Sequence, residues 1–291
     1  MSDEAKAHLP PTGWSVADLT GGRNIREEIV ARRRERIRNE GYGLGVDIPV
    51  GRTVPIVSFT RQPLVICEIK RKSPSRGDIA PGLDPVEQAR LYVEAGVQSV
   101  SILTEEDHFN GSLKDLMAVK HAFPGLAVLR KDFLIDENDV VVSWRAGADA
   151  VLLIASMLSH EDLLRMLRRA ESLHMSALVE VHSPADIEKI RPIYPALVGI
   201  NCRNLEDFRI DRLLPVSRRP FINWEAQVVF ESGIFSYEDA LYTRMHNFQG
   251  ILVGEAVVRR PGLIPVLIHG VSGTGTRKGR MAPRPWEFWR F

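Results

Sequence analysis

The chain has 291 residues, of which 44% are hydrophobic and 26% are charged. This is the composition of a globular protein with a large core, and the length fits one large barrel or two average domains. Because 38 Lys and Arg nearly balance 37 Asp and Glu, no overall basic field favours nucleic acid or an anionic membrane as a partner. No apolar run approaches the ~20 residues of a membrane span, and no basic leader follows Met1, so we expect a cytoplasmic protein.

The first predicted element is a charged helix over residues 24–40. It places Ile25, Ile29, Val30 and Ile37 on one apolar stripe. The run Arg32, Arg33 and Arg34 is expected on its solvated face, where it can also attract an anionic ligand. We read residues 1–23 as an N-terminal extension.

Short apolar runs then alternate with helical patterns between about residues 64 and 257. They are LVICEIK (64–70), VQSVSILT (97–104), LAVLRKDF (126–133), DAVLLIAS (149–156), SALVEVH (176–182), LVGINCRN (197–204), QVVFES (227–232) and GILVGEA (250–256). They lack period-two alternation, which is typical of parallel strands covered on both faces. Their spacing of about 27 residues is close to one βαβ unit. We therefore predict a single (β/α)8 barrel over 24–270, with an open doubly wound α/β sheet as the alternative.

Several local signals mark where the connecting helices begin and end. Ser159 and Ser183 are expected N-caps, and Ser183 is followed by Pro184 and by an acidic residue in the first turn. Gly96 and Gly147 fall where two helices must stop before the next strand. From residue 271 to 291 the chain turns to Gly, Pro and Arg, and we expect a basic, mobile tail without an assignable function.

Both cysteines, Cys67 and Cys202, lie in apolar runs and are expected as core residues in a reducing compartment. No CxxC or HExxH spacing occurs, so we expect neither a metal site nor a cofactor.

Charged side chains collect at the predicted carboxyl ends of the strands, where barrels of this kind carry their functional residues. They are Glu68, Lys70, Lys131, Glu180 and Glu231. Each can be half of a structural ion pair, but two lysines and three glutamates together favour a proton-transferring active site. A lysine among other cations can be tuned towards neutrality and act as a general acid, with a glutamate close by to move a proton.

Small residues follow the last two strands, at Ser232-Gly233 and at Gly254. This is the usual anion position of such barrels, although tight turns alone can also require glycine. The segment SPSRG (73–77) suits a loop that closes over an anionic ligand. These features indicate a metal-free and cofactor-free lyase or isomerase acting on a phosphorylated small molecule.

An ordered series of strings resembles the indole-3-glycerol-phosphate synthase family between about residues 24 and 269. It comprises EIKRKSPSRG, LTEEDHFNGS, VLRKDF, GADAVLLI, LVEVH, GINCRN, ESGI and LVGEA. The resemblance implies a carboxy-lyase of tryptophan biosynthesis. It would close the ring of 1-(2-carboxyphenylamino)-1-deoxyribulose 5-phosphate and release carbon dioxide and water.

The resemblance also implies roles for single residues. Lys131 matches the general acid, and Glu180 the carboxylate that assists proton removal. Lys70 matches a lysine that binds the substrate carboxylate and acts in the dehydration, with Glu68 and Asn201 as positioning groups. The substrate and phosphate contacts are matched by Ser73, Phe109, Arg203, Glu231, Ser232, Gly233, Gly254 and Glu255.

Some positions depart from the family pattern. The family usually has Gln and Glu where this chain has Asp139 and Val142, and Ser where it has Phe230. Two alternatives stay open at this point: a non-catalytic paralogue that only binds a phosphorylated ligand, and phosphoribosylanthranilate isomerase. The expected partner is a small phosphorylated substrate rather than nucleic acid or membrane, and the expected state is a monomer or weak homo-oligomer.

Overall fold

The computed structural model describes residues 25–73, 77–203 and 209–273. Its centre is a closed barrel of eight parallel strands. In chain order, β1 to β8 span Leu64–Ile69, Ser99–Leu103, Ala127–Lys131, Ala150–Ile154, Ser176–Val181, Leu197–Asn201, Gln227–Glu231 and Gly250–Val253. The barrel closes where β1 pairs with β8, with Leu64 opposite Gly250. The predicted (β/α)8 barrel is confirmed, because an open sheet would have left its two edge strands unpaired.

Ten helices surround or precede the barrel within the described residues. Helices α1 to α10 span Ile25–Glu40, Pro85–Glu94, Leu113–Ala122, Glu137–Ala146, His160–Ser172, Pro184–Ile190, Leu213–Arg218, Tyr237–Met245, Glu255–Arg259 and Ile264–Ser272. A short antiparallel pair, Lys72–Ser73 with Gly77–Asp78, follows β1. Among the described residues no helix is both long and apolar enough to cross a membrane.

Parts of the predicted organisation lie outside the described residues. These are the extension over 1–23, residues 74–76 of the segment after β1, and most of the basic tail. Of the tail, residues 271–273 are described, and Val271 and Ser272 complete α10.

The predicted helix boundaries are confirmed by their caps. The Ser159 side chain accepts from the backbone N–H of Asp162 at the start of α5. Ser183 and Asp186 form a reciprocal capping box at the start of α6. Gly147 ends α4 with φ of 102°, a left-handed conformation that glycine adopts without steric cost.

The barrel strands separate two apolar cores, one on each face of the sheet. The outer core lies between strands and helices and includes both cysteines. The inner core fills the barrel and consists of Phe59, Leu64, Ile66, Ala127, Leu129, Ala150, Leu152, Ile154, Leu178, Leu197, Val229 and Leu252. Successive side chains of a strand alternate between its two faces. The strand residues two positions after a member of this inner set therefore also face the inside of the barrel.

Helix α1 is tied to the barrel by a buried arginine. Arg33 is 6% exposed, and its guanidinium lies 3.2 Å from Asp132 Oδ2 and 2.6 Å from Asp139 Oδ1. Asp132 also accepts from Arg130 Nη2 at 2.7 Å. The prediction of a solvated face was wrong for Arg33, because the helix turns that guanidinium toward two carboxylates. Asp139, where this chain departs from the family pattern, is thus paired with Arg33.

Replacement of Arg33 by Met should destabilise the fold by about 3–5 kcal/mol, because it takes from the buried Asp139 its ion-pair partner and leaves Asp132 with Arg130 alone. Urea unfolding followed by circular dichroism measures this loss. Arg34→Met is the matched control, since Arg34 is exposed on the same helix, and it should change stability by less than about 0.5 kcal/mol. Equal losses in the two variants would contradict a pairing role for Arg33.

The contribution of Arg33 to the free energy of unfolding should also depend on pH. Burial raises the pKa of Asp132, but Arg33 and Arg130 outweigh it and hold that pKa well below its ordinary value. A carboxylate with a depressed folded pKa contributes stability above the ordinary Asp value of about 4 and loses it as the pH falls below that value. The stability gap between wild type and Arg33→Met should therefore narrow in acid.

Candidate active site

One cavity lies at the carboxyl ends of the barrel strands and brings together all of the site residues that the sequence indicated. Its wall includes Glu68, Lys70, Ser73, Phe109, Lys131, Glu180, Asn201, Arg203, Glu231, Ser232, Gly233, Gly254 and Glu255. These residues come from the carboxyl ends of seven of the eight strands or from the loops that follow them. Their assembly follows from barrel closure, which places distant segments around one opening.

The pleat of the strands explains why the polar groups face this opening. In β3 the inward residue Leu129 is followed two positions later by Lys131, and in β5 Leu178 is followed by Glu180. The same alternation leads from Ile66 to Glu68 in β1. Apolar side chains thus fill the barrel interior, and charged ones take over where each strand reaches the cavity.

The centre of the site is a cluster of two lysines and three glutamates. Lys131 Nζ lies 3.4 Å from Glu180 Oε2 and 3.8 Å from Glu231 Oε2. Lys70 forms an ion pair with Glu68. All five side chains are largely buried, and buried charges persist only where they are paired.

Lys131 is held in its charged form. Burial lowers its pKa, but Glu180, Glu231 and Glu68 together raise that pKa above its ordinary value. The expectation of a lysine tuned towards neutrality by other cations was wrong for Lys131, because its neighbours are carboxylates. An ammonium is the form that a general acid needs before it donates.

The pKa values of the two glutamates beside Lys131 are shifted in opposite directions. Burial raises the pKa of Glu180, but Lys131 and His182 outweigh it, so that the pKa lies well below its ordinary value. Burial and the Glu180 carboxylate raise the pKa of Glu231 well above its ordinary value. In the described part of the chain neither carboxyl oxygen of Glu231 has a hydrogen-bond partner. The lowered pKa favours an ionised Glu180, which suits a proton acceptor, and the raised pKa favours the protonated form of Glu231.

Two glycines make room for this cluster. A Cβ atom on Gly199 in β6 would collide with the carboxyl group of Glu231, and one on Gly254 would collide with the carboxylate of Glu68. A larger residue at either position would have to displace a buried side chain of the site. Gly254, predicted for its place near a phosphate, thus also accommodates the Glu68–Lys70 pair.

One end of the cavity is lined by small and polar groups. Asn201 Oδ1 accepts from the backbone N–H of Arg203 and from Ser232 Oγ, both at 3.0 Å. Ser232 and Gly233 both have φ of 70°, so the chain makes a tight left-handed turn there. Gly254 precedes α9, whose first N–H groups have no acceptor within the helix. Backbone and hydroxyl donors therefore converge on this end.

Another part of the wall is apolar. Phe109 and Phe133 lie with ring centroids 6.2 Å apart. Ile29 of α1, Leu103 and Met157 line the same cavity. This wall offers a surface for a flat, uncharged ring.

Sequence reasoning missed several of these residues. Ile29 was assigned to the helix stripe, and its contact with the cavity depends on how α1 packs across the barrel. Gly199 lies inside an apolar run, where its lack of a side chain gave no signal. Phe133 and His182 stood in motifs already quoted, VLRKDF and LVEVH, and their spacing from Lys131 and Glu180 could have indicated them.

Comparisons with known proteins agree on one family. The model of the family described as Indole-3-glycerol phosphate synthase matches residues 53–264. The chain is 38% identical over 239 residues to a protein of that name from Geobacillus kaustophilus (strain HTA426), covering 80% of this chain and 92% of the relative. It is 44% identical over 199 residues to one from Carboxydothermus hydrogenoformans, covering 68% and 75%.

Solved structures with low sequence identity share the fold. A 3-hexulose-6-phosphate synthase matches with a TM-score of 0.56 at 14% identity, covering 72% of this chain and 98% of its own. A 3-keto-L-gulonate-6-phosphate decarboxylase from Vibrio cholerae matches with a TM-score of 0.57 at 11% identity, covering 74% and 100%. These two likenesses concern the barrel alone. On the family model and the relatives of similar length, the chain belongs to the indole-3-glycerol phosphate synthase family.

Proposed function

We propose that the chain converts 1-(2-carboxyphenylamino)-1-deoxyribulose 5-phosphate to indole-3-glycerol phosphate, carbon dioxide and water by general acid–base catalysis. The observation that carries this proposal is the placement of the Lys131 ammonium between Glu180 and Glu231 in the cavity. A charged lysine beside a carboxylate supplies both a donor and an acceptor for protons.

We propose one orientation of the substrate in the cavity. The phosphate is proposed to lie at the polar end, where Ser232, Gly233, Gly254 and the backbone of Glu255 supply hydroxyl and N–H donors. Arg203 lines the same wall. The benzene ring is proposed to lie against Phe109, with its carboxylate toward Lys70. The Ser73 hydroxyl supports this placement, because it is buried at the wall without a partner in the described residues.

Ring closure comes first in the proposed reaction. The ring carbon that bears the carboxylate attacks the carbonyl carbon, and Lys131 donates its proton to the carbonyl oxygen as the new C–C bond forms. The positive charge that develops on the substrate nitrogen is stabilised by the Glu180 carboxylate. Holding the flexible chain in a ring-closing pose reduces the entropic part of the barrier, with the phosphate as a remote anchor.

Two losses then complete the indole. Carbon dioxide leaves, and the electron pair of the broken C–C bond returns to the ring system. The hydroxyl group leaves as water after accepting a proton, for which Lys70 is the proposed donor. Glu180 then removes a proton from the newly closed ring, which completes the indole. Glu68, paired with Lys70, and Asn201, whose amide is fixed by Arg203 and Ser232, position these groups.

Replacement of Lys131 by Ala should lower kcat by about 10²–10⁴-fold, because it removes the proposed general acid. The purified protein is mixed with the carboxyphenylamino substrate, and indole fluorescence reports turnover. Binding of the reduced substrate analogue should largely survive, since the phosphate and ring contacts remain.

The matched control is Lys114→Ala, an exposed lysine on α3, which should keep wild-type turnover. Analogue binding by wild type without indole emission would instead identify a non-catalytic paralogue. Wild-type turnover of the isomerase substrate one step upstream would favour phosphoribosylanthranilate isomerase.

Replacement of Gly199 by Ala should lower kcat, although this residue contacts no substrate in the proposal. The new methyl group displaces the Glu231 carboxyl, and misplacement of a catalytic cluster by about 1 Å can cost about 10²-fold. Gly125→Ala is the control, since a Cβ atom there meets nothing within 4 Å. Full activity in Gly199→Ala would show that the position of Glu231 does not matter for turnover.

A further inference from the structure

Glu180 has a neighbour that the proposed mechanism does not use. His182 follows it by two residues at the end of β5, so that both side chains lie on the same face of the strand. His182 Nε2 lies 3.2 Å from Glu180 Oε1, while Lys131 Nζ lies 3.4 Å from Glu180 Oε2. Each oxygen of the carboxylate therefore faces a different nitrogen.

Among the described residues, no hydrogen bond of the His182 imidazole competes with its contact to Glu180. Its side chain is 12% exposed, and within the described residues neither ring nitrogen makes a well-aligned hydrogen bond. A proton on Nε2 lies within hydrogen-bonding distance of Glu180 Oε1 although the two groups are not in line, and this tautomer leaves Nδ1 as an acceptor, which is less costly in a buried ring than an unmatched donor. Hydrogen bonds of catalytic groups are often poorly aligned before substrate binds and tighten in the complex.

The backbone of His182 is fixed by the start of the next helix. Its N–H donates to Asp186 Oδ2 at 2.9 Å, and Asp186 belongs to the capping box of α6. The ring is thus held by a helix cap, and the carboxylate that it faces is held by a barrel strand. Both supports are rigid secondary structure, which suits a group that must keep another in place.

The charges around Glu180 show why a second contact matters. Lys131 faces it from β3, Glu231 from β7 and His182 from the end of its own strand. Its register neighbours on β4 and β6 are Ile154 and Gly199, which bring no charge. Lys131 is itself drawn toward Glu231. His182 is therefore the neighbour that faces the Oε1 side of the carboxylate.

We infer that His182 is a positioning residue, which holds Glu180 by Oε1 and so directs Oε2 toward Lys131 and the cavity. The inference rests on the role proposed above for Glu180 and adds the group that orients it. His182 touches the carboxylate rather than the substrate, because it does not line the cavity among the described residues.

The test compares His182→Leu with His182→Gln in the full chain, because glutamine restores an N–H donor and leucine does not. The Leu variant should lose kcat by about tenfold or more, a part of the 10²–10⁴-fold that a general base contributes, with KM within about threefold of wild type. The Gln variant should recover most of that loss. The acid limb of the kcat profile should lie at higher pH in the Leu variant than in the Gln variant, since Glu180 then loses a neighbour that favours its charged form.

Control measurements separate this role from a structural one. His121→Leu removes an exposed histidine from the last turn of α3 and should leave kcat and the pH profile unchanged. Equal kcat values and superimposed acid limbs in the Leu and Gln variants would overturn the inference. If Glu180→Gln turned over substrate like the wild type, Glu180 would not have the proposed role, and the inference about His182 would fall with it. An inactive wild type would instead overturn the proposed function.

Discussion

Closure of the barrel is the constraint on which the site depends. Since β1 pairs with β8, side chains as far apart in sequence as Glu68 and Glu255 line one cavity. The strand pleat then decides which residues of each segment face inward. Apolar residues form the inner core, and two positions further along the strand the same face carries the charged groups of the candidate site. The residues of the inner core and the charged residues of the site thus lie on the same inward faces of the strands.

Charge balance within the cavity follows from its burial. Two ammonium groups cannot neutralise three buried carboxylates, and burial and Glu180 raise the pKa of Glu231, which favours its uncharged form. The remaining charges form two opposed pairs, Lys70 with Glu68 and Lys131 with Glu180. Protons can move within such a cluster without leaving a lone charge in a poorly hydrated place.

The sequence was sufficient to predict the fold, because strands and caps are local signals, and its strand-end charges were sufficient to indicate residues that line one cavity. It was insufficient where the answer depends on which neighbour a side chain meets. Arg33 stands in a run of three arginines, and only the packing of α1 shows that it faces Asp132 and Asp139. The pKa of Lys131 is raised by carboxylates from three other strands. Gly199 matters through the space that it leaves for Glu231.

The contact between Arg33 and Asp139 bears on how this chain can be recombined with its relatives. One partner lies on the helix before the barrel and the other on the helix that follows the strand of Lys131, and 106 residues separate them. A relative with an uncharged residue at the second position would leave the arginine short of one carboxylate. A chimaera that takes one of these two segments from this chain should therefore take the other as well, so that the Arg33–Asp139 contact is kept.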